Sequence, residues 1–211
     1  MNYCHQLHKL LSNPMRYRFP FDHGTIPTSG VYVLFEEDEL GHDGQRIVRA
    51  GSHTGHAKLV VRLREHFIAE NKDRSIFRKN IGRALLNRRE DQFLSEWEID
   101  LTSRKNRDLY AHQIDSCRLQ TVEREVTDYI RKHFSFIIIH INDKDERLYF
   151  EKRIIATVSG CPSCNPSFGW LGRSSPIDKI RKSGLWQVNH LYGENMTDQD
   201  IETLADIVKR G

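Results

Sequence analysis

Five side chains of this 211-residue chain have types and spacings suited to chemistry at a phosphate. They are Tyr32 in Ser29-Gly-Val-Tyr-Val, Arg49 in Arg46-Ile-Val-Arg-Ala-Gly51, Arg62 and His66 in Leu59-Val-Val-Arg-Leu-Arg-Glu-His-Phe67, and Glu151 far downstream. A guanidinium beside a phosphate donates paired hydrogen bonds and stabilises the charge that builds up in a transition state. A histidine four residues on shares its helix face and could donate to a phosphate oxygen or a leaving group. Tyr32 could orient a water molecule, or take its proton if nearby cations stabilise the phenolate. Arg49 could supply such a cation or grip the phosphate. Each residue also has a plainer reading: Tyr32 as core, Arg49 as a strand-end charge, Arg62 and His66 as helix-border residues with wet tips.

Glu151 interrupts an apolar helical pattern, and an ionised carboxylate is costly to bury unless paired, protonated or bound to metal. A buried ion pair with Arg62 or another arginine would satisfy it. So would a hard divalent ion such as Mg2+, which takes one or two protein carboxylates and keeps its other positions for water and phosphate. The two readings stand equal at this point.

The elements that must position these groups are readable from periodicity. Residues 31–35 and 46–50 are apolar, β-branched runs that should pair antiparallel, with the acidic stretch 36–44 as their loop. Residues 57–70 show a helical stripe of Leu59, Val60, Leu63 and Phe67. Segments 75–86, 115–131 and 145–158 read as helices, 93–101 is ambiguous, and 134–141 is a central strand apolar on both faces. In the last of these helices Leu148, Ile154, Ile155 and Val158 share a face with Glu151 at its middle. Thr197-Asp-Gln-Asp200 has the form of a capping box ahead of a final helix. Residues 1–27 suggest a short helix and an irregular arm.

At this length one elaborated domain is expected, because each half alone would bury a marginal core. The expected arrangement is an α/β (α+β) unit with a core of 28–70 and 134–172, a helical insertion at 71–133, an N-terminal arm at 1–27 and a C-terminal extension at 173–211. No stretch suits a transmembrane helix or a secretory signal, so a cytoplasmic location is the default expectation. Net charge of +3 argues for nothing alone. Its distribution says more: Lys72, Arg74, Arg78, Lys79, Arg83, Arg88 and Arg89 face only Asp73 and Glu90 in their stretch. Such clustering suits a phosphate backbone, with Arg74, Arg78, Lys79 and Arg83 as candidate nucleic-acid contacts, or else a solvated helix face. Among four cysteines only Cys161-Pro-Ser-Cys164 has metal-like spacing. Zinc would need a remote Cys or His, so a proline turn with two buried thiols is preferred.

These segments resemble the GIY-YIG nuclease superfamily. Gly30-Val-Tyr32 stands at its first motif, and Arg49-Ala-Gly51 at its second, with arginine in place of the motif's tyrosine. Arg62 and His66 match its helix, Glu151 in Tyr149-Phe-Glu-Lys-Arg-Ile-Ile its metal-binding glutamate, and Asn165 the asparagine that follows. Ser75-Ile-Phe-Arg78 and Leu185-Trp-Gln-Val-Asn-His190 resemble a bacterial subgroup of undefined role. The resemblance implies a small three-stranded antiparallel sheet flanked by helices. It also implies a Mg2+- or Mn2+-dependent endonuclease acting on DNA, with Tyr32, Arg49, Arg62, His66, Glu151 and Asn165 at the site and the metal on Glu151. Two rivals are an inactive nucleic-acid-binding module of the same fold and an interaction protein whose basic insertion meets an acidic partner.

Overall fold

The computed structural model describes residues 2–42, 44–53, 55 and 57–210. Its centre is an antiparallel sheet with strand order β1-β4-β2-β3, formed by β1 (Tyr17–Arg18), β2 (Val31–Gly41), β3 (Gly44–Gly51) and β4 (Phe134–Ile139). The sheet has four strands rather than the expected three, because the N-terminal arm adds β1 beside β4 through Tyr17 and Phe136. Side chains alternate across β2 as strand geometry requires. Tyr32 and Leu34 enter one core; Val31, Val33 and Phe35 enter the other.

On the first face lie α2 (Leu59–Phe67), α3 (Ile76–Arg88), α4 (Leu94–Glu98) and α6 (Ser116–His133). The second face is covered by α1 (Tyr3–Leu11), α7 (Lys144–Ser159) and α9 (Asp198–Arg210). Two short helices, α5 (Arg104–Tyr110) and α8 (Asp178–Ser183), complete the α-helices of the described residues. Each main boundary has a local cause. Ser75 caps α3 by accepting from the Arg78 amide, Asp115 caps α6, and Thr197 with Asp200 forms the reciprocal box that starts α9. The segment 71–133 is no appendage. Phe77, Ile81 and Leu86 of α3 pack with Val122, Val126 and Ile130 of α6 against Phe134 and Phe136 of the sheet, each contributing ~1.5–3 kcal/mol by burial.

The acidic stretch after Phe35 is strand, not loop: β2 continues to Gly41. It can do so because its inward carboxylates are satisfied. Glu36 accepts from Tyr129 (2.6 Å), Trp170 (2.7 Å) and Trp186 (2.8 Å), and Glu39 pairs with buried Arg46 at 2.7 Å. Burial pushes the Glu36 carboxyl up, and the three donors offset part of that.

Candidate active site

Tyr32 is fully buried, and its hydroxyl lies 2.9 Å from His66 Nε2. His66 Nδ1 lies 2.7 Å from Ser75 Oγ, so a continuous chain joins β2, α2 and the cap of α3. The two motif glycines make room for it. Gly51 is the cross-strand partner of Tyr32, and a Cβ there would collide with the phenol itself. At Gly30 a Cβ would come within 2.5 Å of the Ile139 carbonyl. Desolvation, followed by the charges of Arg62, Arg49 and Arg78, lowers the His66 pKa well below the ordinary imidazole value. His66 is therefore neutral inside the fold. Arg62 donates to Glu65 (3.0 Å) and to the Arg74 carbonyl (3.0 Å). Burial works against its charge, but the Tyr32 phenol and the Glu65 carboxylate beside it outweigh that and raise its pKa.

Arg49 reaches the same face through a bulge. Leu34 pairs with Arg49 and Phe35 with Ile47, which leaves Val48 as the extra residue and turns both Val48 and Arg49 toward the Tyr32 side. The guanidinium donates to the Trp186 carbonyl and sits 5.4 Å from the Phe77 ring. Its Nε is buried without a hydrogen-bond partner, and among the described residues no carboxylate pairs with it. A buried cation in this state is costly unless a negative group comes to stand beside it.

Glu151 arrives from α7 at the same end of the hairpin. Ser52, next to the Gly51 that faces Tyr32, donates its hydroxyl to Glu151 Oε2. The carboxylate is half-buried on the helix face that also carries the buried Ile154, Ile155 and Val158. Arg62 is not its partner, and among the described residues no cation pairs with it. Its second oxygen has no hydrogen bond among the described residues, and a carboxylate beside a hydroxyl is a hard-oxygen donor pair that fits Mg2+. Asn165 is not brought to this end. Its exposed amide donates to the Pro162 carbonyl (2.7 Å), and it follows Cys164, whose sulfur packs beside Gly41 at the hairpin's turn.

The candidate nucleic-acid contacts need correction. Arg78 is fully buried, bound to Glu123 at 2.7 Å and to Thr127 at 2.8 Å. Arg83 forms a two-point pair with Glu98, and Lys79 donates to the Glu98 carbonyl at 2.9 Å. Their positive charge is spent inside the molecule. Arg74 alone of the four is exposed, beside a cleft of about 530 Å³. Sequence reading missed three site residues, namely Ser52, Ser75 and Gln187, whose side-chain oxygen accepts from the Ala50 amide. The two subgroup segments were the available signal. One supplies Ser75 and Phe77; the other lies along β3, with the Trp186 amide donating to Val48 at 2.8 Å.

A sheet of this kind, with a glycine-framed tyrosine, a helix-borne arginine and a late glutamate, defines the class of fold. The GIY-YIG domain family model matches residues 2–211, and the chain belongs to that family. Domains of this family are generally nucleases, so a nucleic acid is the implied substrate. Neither curated proteins nor solved structures gave a match.

Proposed function

We propose that the protein is a metal-dependent endonuclease that hydrolyses DNA phosphodiester bonds. The observation that supports this best is the buried, uncompensated Arg49 beside a phenol already held between His66 and Arg62. Tyr32 orients the attacking water and accepts its proton. His66 serves in the tautomer that accepts a hydrogen bond from the Ser75 hydroxyl at Nδ1 and donates from Nε2 to the Tyr32 oxygen, which steadies the phenolate form that takes the water's proton. Arg62 and Arg49 neutralise charge gathering on the phosphate. Glu151, oriented by Ser52, would hold a divalent ion, which would supply Lewis acidity at the leaving oxygen. The arginine at the second motif is an anion receptor and not a second phenol, so the water depends on Tyr32 alone.

The test is supercoiled plasmid incubated with purified protein. Nicking is expected with Mg2+ or Mn2+ and not with chelator, and Glu151→Ala should remain folded by circular dichroism while losing cleavage. An active, folded Glu151→Ala protein refutes the assignment. DNA binding without cleavage on any plasmid, relaxed or branched substrate would instead identify a binding module.

A further inference from the structure

At the turn end of the β2–β3 hairpin, roughly 30 Å along the strand from Tyr32, three distant segments converge on one point. Cys4 and His8 come from α1, His42 from the turn, and Cys161 and Cys164 from the loop after α7. Ligand atoms of Cys4, His8, His42 and Cys164 all lie within 4.8 Å of one another. Cys161 Sγ is 3.2 Å from His42 Nε2. No pair of these thiols is joined as a disulfide. Packing alone gives no reason to gather three thiols and two imidazoles, because buried polar groups cost free energy unless they are bonded. The turn is also shaped for the contact: His42 holds a left-handed backbone (φ 49°), and Gly41 leaves space that a Cβ would take from the Cys164 sulfur, at 3.0 Å.

We infer that this cluster is a structural zinc site with Cys4, His42, Cys161 and Cys164 as its ligands. His8 is excluded as a ligand by its own bonds. Its Nδ1 lies 2.8 Å from the Cys4 carbonyl, which can only accept, so Nδ1 carries the proton. Its Nε2 is then the acceptor for the buried Ile47 amide at 3.1 Å. Metal at either nitrogen would leave a buried backbone group without a partner. His8 therefore orients the site from outside. A tetrahedron with Zn–S near ~2.3 Å and Zn–N near ~2.0 Å sets ligand atoms ~3.3–3.8 Å apart; Cys161 and His42 already stand at 3.2 Å, and Cys4, His42 and Cys164 would close from within 4.8 Å of one another as the ion binds. On binding, Zn2+ would form three bonds to thiolate sulfur and one to nitrogen, and any proton still held by a thiol would pass to solvent.

The full chain, purified without chelator from zinc-supplied cells, should carry one zinc by plasma mass spectrometry. Replacement by Co2+ should give thiolate-to-cobalt charge-transfer absorption and strong tetrahedral d–d bands. A Cys161→Ser protein that keeps its zinc while His8→Ala loses it would overturn the ligand assignment. Cys161→Ser and His42→Ala, both at half-exposed positions, should weaken zinc binding by more than the ~10–100-fold expected for loss of an outer partner such as His8. A protein that holds no zinc as purified and binds neither Zn2+ nor Co2+ overturns the site. Glu151→Ala should leave zinc content unchanged, so this outcome is separate from that of the nuclease assay.

Discussion

Tyr32 and His66 depend on each other, and that coupling can be measured. Tyr32→Phe removes the hydroxyl but keeps the ring in its slot opposite Gly51. It should cost ~1 kcal/mol of stability and lower the cleavage rate by roughly 100-fold or more, as read from urea unfolding and single-turnover nicking. His66 gives a pH signature. Unfolded, an imidazole titrates near 6.5; folded, burial and three arginines keep it neutral well below that value. Below about pH 6.5 the unfolded chain thus binds the extra proton. The stability His66 confers is fully present above that pH and is lost as pH falls toward the folded value, at up to ~1.4 kcal/mol per unit. Comparing His66→Gln with the parent at about pH 8 and about pH 5 isolates this contribution, and the parent should lose more. Equal losses would mean that His66 is protonated in the fold.

At the scale of elements, the helices of 71–133 were expected to grip a nucleic acid and instead complete a core. Arg78 shows why. Breaking its buried pair with Glu123 should cost ~3–5 kcal/mol, whereas Arg74→Ala should leave stability almost unchanged. Arg74→Ala should also weaken DNA binding evenly across sequences and reduce the salt slope by about one. Urea unfolding and salt-titrated binding of the two variants separate these roles. What was legible in the chain was periodicity: the helices around Arg62, Val126 and Ile154, the central strand at Phe136, and the capping box at Thr197 all formed where local pattern placed them. What was not legible were partnerships across long separations. Glu36 and Glu39 resembled loop residues because nothing local announces Trp170, Trp186 or Arg46 as their partners. Charge runs mislead for the same reason, since Arg78 and Arg83 are answered by Glu123 and Glu98 from other elements. The site itself was half legible. Tyr32 and His66 meet as motif spacing implied, while Glu151 is partnered by Ser52 and Asn165 sits at the far turn.

For the molecule as a whole, no helix among the described residues is long and apolar enough to cross a membrane. β3 ends the sheet order, yet its main chain is not left open. The Trp186 amide bonds Val48, Gln187 bonds the Ala50 amide, and Arg49 holds the Trp186 carbonyl. Exposed strand edges recruit other strands. A protein cut just before Leu185 would thus lose more than a tail: it would bare an unguarded seam and should self-associate with concentration in light scattering, while the intact chain should not. The 27 residues from Leu185 onward would then serve as a chaperone in cis, keeping neighbouring copies from zipping together.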